Sequence, residues 1–287
     1  MISASIVQGS SIGPASYVLN ASDLKAITQG NETFKYADDT YIIIPSRNAD
    51  SRTIELDNIA VWSKADNLKL NRSKCTEIIF SDNKRKKIFE RPSLKSGLTR
   101  VTSMKILGVN FTNHLSMSNH VNQIVGKCAQ TLYAMRILRA QGMCDAALNT
   151  VYQSVIVARI MHAACAWWGF TTAADRCRID GFFRRGVRRP IGMCSRDMVK
   201  SFEELCKLRD KQLFNKVMLN PSHVLHRLLP PKSVASSNYN LRARPHDRQI
   251  SRRRAHIMDC NFIYHMLSVA AKLKPGPRAG TVGGPPY

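Results

Sequence analysis

The chain has 287 residues, of which 43 are Lys or Arg and 20 are Asp or Glu, so its formal net charge is +23. This length allows one large domain or two modest ones, and so large a positive excess indicates a polyanionic partner, nucleic acid before an acidic membrane surface. The eight cysteines include no Cys-x-x-C pair, which argues against zinc-ribbon and thioredoxin-like motifs and favours a reduced, intracellular setting, nuclear or cytoplasmic.

No secretory signal or transmembrane segment is predicted. Residues 1–7 lack a basic region, and the most apolar window, 151–170, contains Gln153, Arg159 and His162. The apolar run 1–7 is typical of a strand and has no turn or cap before it. We therefore expect the chain to be a truncated part of a longer protein. A loop with two glycines follows, and Pro14 suits the first turn of a helix predicted over 15–24.

The stretch 34–44 predicts a hairpin with two adjacent carboxylates, Asp38 and Asp39, at its tip. Aromatic and β-branched residues on both sides are typical of two short strands joined by a tight turn. Neighbouring carboxylates repel each other unless a cation compensates them, and Mg²⁺ binds one or two carboxylates together with substrate phosphates. The alternative is a turn that uses Asp for its turn propensity alone. The stretch by itself leaves both interpretations open.

Helical and strand periods then alternate along the chain. An amphipathic helix is predicted over 54–68, with Asp50 or Ser51 as its N-cap. Strands are predicted over 76–80 and 101–111, the second broken or bent at Gly108. Further helices are predicted over 118–142, 146–168, 173–189 and 201–218. The pattern predicts an α+β unit followed by an all-helical unit, with a boundary near Asn113.

From Pro221 the composition changes again. The run 242–254 is rich in arginine and poor in large apolar residues, which is typical of a flexible basic linker that can follow phosphates. One late helix is predicted over 262–269. The Gly- and Pro-rich end, 274–287, is expected to be disordered.

The order of these segments resembles a reverse transcriptase of the non-LTR, LINE-like retrotransposon type. The matching segments, in chain order, are the Gln8-Gly9 loop and helix, the Tyr36-Ala37-Asp38-Asp39 hairpin, a helix, the Leu70-Asn71-x-x-Lys74-x-Thr76-Glu77 strand, the Leu107-Gly108 strand and the later helices. The sequence is similar to transposon copies of arthropods, ticks especially. The resemblance implies an α+β fold: a partial polymerase palm, an antiparallel sheet with helices, over 1–112. The resemblance further implies a helical thumb over 113–220. A basic, largely flexible tail with one late helix follows over 221–287.

The resemblance also implies roles for the residues that match the family motifs. Asp38 would be the main metal ligand and Asp39 an auxiliary one, for two Mg²⁺ or Mn²⁺ ions that activate the primer 3′-hydroxyl and stabilise the leaving pyrophosphate. Lys74 would protonate pyrophosphate and Arg72 would contact a phosphate. The residues implied to contact nucleotide, template or primer are Gln8, Gly9, Tyr36, Leu107 and Gly108. The alternative for Lys74 is an ordinary surface lysine. The alternative for Leu107 and Gly108 is that Leu107 is a core residue and Gly108 a bend.

Two arginine clusters are predicted to contact nucleic acid, an RNA template with its DNA primer. They are Arg184, Arg185, Arg188 and Arg189 on one helix and Arg252, Arg253 and Arg254 in the tail. A solvated helix edge is the alternative for the first cluster. Trp62, Trp167 and Trp168 are expected in the core, and His114, His120 and His162 receive no metal role.

The family pattern has an earlier half, the fingers and a strand with a third catalytic Asp, that we do not find here. No residue ahead of Gln8 is acidic, and Asp23 lies at the end of the first predicted helix. We therefore expect a fragment that has no polymerase activity alone and that uses dNTPs only within the complete enzyme. The alternative function is a non-catalytic nucleic-acid-binding remnant.

Overall fold

The computed structural model describes residues 11–81, 92–94, 97–187, 200–233, 246–250 and 256–272. Helices and small sheets both occur, which is compatible with the predicted α+β class. The described residues of Met1–Ile78 and Lys84–Val101 form one compact unit, unit 1, and those of Ile79–Asn83 and Thr102–Tyr287 form a second, unit 2. The predicted division into 1–112, 113–220 and 221–287 stays a prediction.

Unit 1 contains two helices and two strand pairs. Helix α1 (Gly13–Asn20) has Pro14 in its first turn, as predicted. Strands β1 (Glu32–Tyr36) and β2 (Asp39–Ile43) form an antiparallel hairpin, which confirms the prediction for this stretch. The remaining elements are α2 (Arg52–Ala65), β3 (Thr76–Ile78) and β4 (Thr99–Val101).

The strands differ from the single antiparallel sheet that we expected. Among the described residues they form three separate pairs, and β3 pairs with β4 in parallel. Parallel pairing requires a long connection between the strands, and periodicity within either strand carries no signal for it. Each of these strands has three residues, so the pair is small.

A buried carboxylate fixes the loop that leads into β1. Glu55, in the first turn of α2, is fully buried and accepts hydrogen bonds from the backbone amides of Ile27 (3.1 Å) and Thr28 (2.8 Å) and from the Asn31 side chain (2.8 Å). Burial raises the pKa of the Glu55 carboxyl, but these hydrogen bonds favour the charged form and hold its pKa below the ordinary value. The start of the hairpin is therefore tied to α2.

Ser51 is the N-cap residue of α2, in agreement with the prediction, yet its side chain does not cap the helix. The hydroxyl donates to the Asn48 carbonyl (2.7 Å) and accepts from the Asn31 side chain (2.8 Å). The loop before the helix has thus taken up the hydroxyl that would otherwise bond to the first amides of α2.

Unit 2 begins with a second antiparallel hairpin, β5 (Ser103–Ile106) and β6 (Val109–Thr112). We predicted one strand bent at Gly108, whereas the chain reverses direction there. Leu107 and Gly108 both have positive φ, 45° and 90°, which is the backbone that a two-residue hairpin turn requires.

The helices of unit 2 follow the predicted order. They are α3 (Ser118–Ala140), α4 (Asp145–Val151), a π-helical segment (Tyr152–Val157), α5 (Ala158–Ile160), α6 (Ala164–Trp167), α7 (Ala173–Val187), α8 (Phe202–Leu219), α9 (His256–Cys260) and α10 (Phe262–Lys272). The predicted continuous helix over 146–168 is wrong. The chain breaks at Ala163, whose φ is 49°, and the Trp167 indole N–H donates to the His162 carbonyl at 3.0 Å.

The core of unit 2 is built mainly from α3 to α8. Trp167 and Trp168 are buried, as expected, whereas Trp62 in unit 1 is half-buried and donates to Asp23. Cys128 and Cys206 lie in the same core as small apolar groups. No helix among the residues described is both long and apolar enough to cross a bilayer.

Candidate functional site

The β1–β2 hairpin presents Asp38 and Asp39 at its turn. Ala37 and Asp38 connect the strands, and Asp39 opens β2 opposite Tyr36. Ala37 has a φ of 50°, which an alanine adopts only at a cost. Both carboxylates are exposed, so their oxygens are accessible to a hydrated cation. Metal binding itself stays a prediction.

Two tyrosines interact with these carboxylates. The Tyr41 hydroxyl donates to Asp39 Oδ2 at 3.3 Å, and burial, followed by the Asp39 charge, raises the pKa of Tyr41. On α1, burial and then the Asp38 charge raise the pKa of Tyr17. Both phenols therefore stay protonated and neutral beside the acidic pair. A divalent cation held by the pair would counter the charge that raises these pKa values.

Lys74 and Arg72 lie in the short 3₁₀ turn Arg72–Lys74 ahead of β3, in the same unit as the hairpin. Both side chains are exposed, and Tyr36 at the end of β1 is 63% exposed. All three are thus accessible to a ligand. Their predicted contacts with triphosphate and primer remain predictions.

Leu107 and Gly108 form the turn between β5 and β6 in unit 2. Leu107 is 47% exposed, so the alternative that it is a core residue is wrong. The Leu107 carbonyl oxygen lies 3.1 Å from His162 Nε2. The structure thus ties this turn to the break before α6, while the predicted primer contact is untested.

The predicted arginine contacts are only partly within the described structure. Arg184 and Arg185 are exposed in the last turn of α7, and the Arg185 guanidinium lies 5.8 Å from the centre of the Phe182 ring. The residues that lie outside the described ranges are Gln8, Gly9, Arg188, Arg189, Arg252, Arg253 and Arg254.

Two residues that shape this site, Tyr17 and Glu55, lie outside the motifs recognised in the sequence. Tyr17 has no pattern in the sequence that links it to Asp38. Glu55 does carry a signal, because helical spacing places it four residues before Ile59 and seven before Trp62, on the apolar face of α2. A carboxylate on such a face needs hydrogen-bond donors, which the loop before β1 supplies.

The hairpin carboxylates fit a divalent cation as a partial ligand set. Mg²⁺ and Mn²⁺ prefer oxygen ligands and commonly combine one or two carboxylates with water and substrate phosphates. Among the described residues, no group of three or more His, Cys, Asp and Glu side chains has the arrangement of a metal site. Any cation here would take its further ligands from beyond the two carboxylates.

Part of the chain is similar to a known retrotransposon polymerase. An alignment of 135 residues, which covers 43% of this chain, is 30% identical to the RNA-directed DNA polymerase from mobile element jockey of Drosophila melanogaster. The chain spans 14% of the length of that relative. No protein-family model and no solved structure matches the chain. The similarity supports a reverse transcriptase-like region.

Proposed function

We propose that this chain carries the metal-binding hairpin of a retrotransposon reverse transcriptase and contributes to RNA-directed DNA synthesis. One observation carries the proposal: Asp38 and Asp39 stand exposed at the turn of a hairpin. The similarity of part of the chain to an RNA-directed DNA polymerase supports it. A site of this chemistry needs accessible carboxylates on a positioned element, and the Glu55 bonds to the loop before β1 supply such positioning.

In this proposal each residue has a definite task. Bound Mg²⁺ or Mn²⁺ supplies activation of the primer 3′-hydroxyl and neutralises charge on the phosphates. Asp38 is the main ligand of the cations. Asp39 is an auxiliary ligand that also accepts a hydrogen bond from the Tyr41 hydroxyl. Tyr36 contacts the primer terminus. Lys74 gives its proton to the leaving pyrophosphate, and Arg72 contacts a phosphate oxygen.

The assignment of residues 1–112 to a polymerase palm and of 113–220 to a helical thumb belongs to the same proposal. Asp38 and Asp39 would supply only part of the near-octahedral coordination of each Mg²⁺, and water, substrate phosphates or further carboxylates would complete it. The relative's activity belongs to a protein of which this chain covers 14%. We therefore expect the 287 residues alone to show no nucleotide incorporation.

Primer extension on an RNA template tests both parts. The chain is assayed with Mg²⁺ and with Mn²⁺, together with Asp38→Asn and with Asp50→Asn, which alters an exposed carboxylate outside the hairpin. No product is expected. If the chain does synthesise DNA, and if Asp38→Asn abolishes the synthesis while Asp50→Asn retains it, the expectation that the chain alone is inactive is refuted. The same result would support the polymerase assignment. Synthesis that survives Asp38→Asn would refute the assignment itself.

A nucleic-acid-binding module without chemistry is the second candidate. The net charge of +23 and the exposed Arg184 and Arg185 favour it. In that case Asp38 has no metal to hold, and binding depends on the basic residues alone. The two candidates therefore differ in whether a divalent cation binds at the hairpin, and they agree in predicting salt-dependent binding of nucleic acid.

A further inference from the structure

Asp39 lies among aromatic residues on one face of the β1–β2 hairpin. Side chains two residues apart in a strand lie on the same face, so Asp39 and Tyr41 share a face of β2. The register places Tyr36 opposite Asp39 and Phe34 opposite Tyr41, which brings both to that same face. The surroundings of the Asp39 carboxylate are therefore set by the pairing of the two strands.

The Tyr41 hydroxyl is the protein donor to this carboxylate. It donates to Asp39 Oδ2 at 3.3 Å, and no other hydrogen bond or ion pair of the Asp39 side chain occurs within the described ranges. Tyr41 is half-buried, whereas Asp39 is exposed. Oδ2 thus has a protein partner, and Oδ1 is the oxygen left for a ligand.

A hydroxyl at Oδ2 limits how a cation can bind Asp39. A cation bound by both oxygens of one carboxylate needs the negative charge and the open side of each oxygen. The donated proton draws on the charge of Oδ2 and occupies one of its lone pairs. Binding through Oδ1 alone keeps the hydrogen bond, whereas binding through both oxygens weakens or breaks it. Binding through one oxygen is therefore favoured by about the free energy of that hydrogen bond.

The number of oxygens that a carboxylate contributes separates the common divalent cations. Ca²⁺ takes more oxygen ligands than Mg²⁺ and readily accepts both oxygens of one carboxylate, whereas Mg²⁺ demands near-octahedral geometry. Mn²⁺ shares the octahedral preference. We propose that Tyr41 makes Asp39 a ligand through one oxygen and thereby selects Mg²⁺ and Mn²⁺ over Ca²⁺ at the hairpin. The inference rests on the function proposed above, because it concerns the same cation site, and Tyr41 is a positioning residue that acts through Asp39.

Removal of the Tyr41 hydroxyl tests the proposal. Tyr41→Phe keeps the ring, so the hairpin is expected to fold, which retained protection of the β1 amides from hydrogen exchange verifies. The matched control is Tyr133→Phe, which removes the hydroxyl of a 64% exposed tyrosine on α3, in unit 2. Mn²⁺ is bound first and detected by broadening of the Ala37 to Thr40 amide signals. Mg²⁺ and Ca²⁺ are then titrated separately to displace it, which gives a dissociation constant for each.

In Tyr41→Phe we expect the ratio of the Ca²⁺ to the Mg²⁺ dissociation constant to fall about threefold or more, the scale of one neutral hydrogen bond. Ca²⁺ gains the freed Oδ2 as a ligand, and Mg²⁺ gains little. Tyr133→Phe should change the ratio less than about 1.5-fold. In an Asp39→Asn background, Tyr41→Phe should leave the ratio unchanged, because an amide offers one oxygen whether or not the hydroxyl is present.

A ratio that Tyr41→Phe leaves unchanged, while Mn²⁺ still broadens the hairpin signals, would overturn the role of Tyr41 and leave the cation site standing. A change of the same size in the Asp39→Asn background would also overturn it, since Tyr41 would then act through another group. If Mn²⁺ broadens no hairpin signal in the unmodified chain, the proposed function is refuted together with this inference. The two failures are therefore distinguishable.

Discussion

Glu55 anchors the loop that leads into the β1–β2 hairpin. Its buried carboxylate accepts bonds from Ile27, Thr28 and Asn31, all in the loop that precedes β1. Removal of the carboxylate would take the acceptor from the Ile27 and Thr28 amides, while the Asn31 side chain would keep its hydrogen bond to the Ser51 hydroxyl. The positioning of Asp38 thus depends on a residue that would never touch substrate.

Replacement of Glu55 by Ala is expected to lower the local unfolding free energy of the hairpin by about 2–4 kcal/mol. Hydrogen–deuterium exchange of the β1 and β2 amides measures this effect. Asp50→Ala removes an exposed carboxylate and should change exchange by about 0.5 kcal/mol or less. Similar effects of the two variants would contradict the role given to Glu55.

The same residue predicts a pH dependence. The folded-state pKa of Glu55 is lowered from 4.5, so its contribution to stability is present above pH 4.5 and is lost as pH falls through the folded pKa. Glu55→Gln removes this titration, and the acid-side loss of hairpin protection should become smaller in that variant.

At the scale of elements, the two hairpins share a backbone feature. Each has a non-glycine residue with positive φ at the first turn position, Ala37 in one and Leu107 in the other. The left-handed region costs a residue with a side chain roughly 1 kcal/mol relative to glycine. The turn of the β1–β2 hairpin therefore holds a strained residue, Ala37, directly before the candidate metal ligand Asp38.

We expect Ala37→Gly to stabilise the β1–β2 hairpin by up to about 1 kcal/mol, less the entropy that glycine loses on folding. Amide exchange of β1 and β2 again provides the measurement. Ala49→Gly, in the 3₁₀ turn Ser46–Ser51, is the control. Ala49 has no positive φ, so this substitution should destabilise the protein or leave its stability unchanged. Destabilisation at position 37 equal to that at position 49 would show that the turn is not strained.

Local patterns predicted the local elements. The aromatic and β-branched residues around Asp38 predict the β1–β2 hairpin, and the apolar spacing from Val121 to Leu138 predicts α3. Longer-range features had no such signal. The apolar pattern runs on through Ala164 and Trp167, so it hides the break at Ala163, next to which the His162 carbonyl accepts a hydrogen bond from the Trp167 indole. The contact between the Leu107 carbonyl and His162 joins residues 55 positions apart, which only the fold brings together.

At the scale of the whole molecule, charge is the dominant property. With a net charge of +23, affinity for any nucleic acid should fall steeply as salt rises, because binding releases counterions from phosphates. This behaviour is common to both candidate functions. The salt slope reports how many phosphates are contacted, and it does not decide whether chemistry occurs.

Neutralising Arg252, Arg253 and Arg254 to Gln is expected to weaken binding of an RNA–DNA hybrid and to reduce the salt slope by about one ion per lost phosphate contact. Fluorescence anisotropy across a salt series measures the slope. Asp38→Asn should leave it unchanged. Binding that does not vary with salt would contradict the electrostatic role of these arginines.

We propose that the exposed acidic pair at the β1–β2 turn holds a divalent cation. Paramagnetic broadening by Mn²⁺ in the amide NMR spectrum tests it most directly, since the broadening falls off steeply with distance from the ion. We expect the signals of Ala37 to Thr40 to broaden first, Asp38→Asn to remove the effect, and Asp50→Asn to retain it. Broadening that is spread over other carboxylates, or that persists unchanged in Asp38→Asn, would contradict the claim.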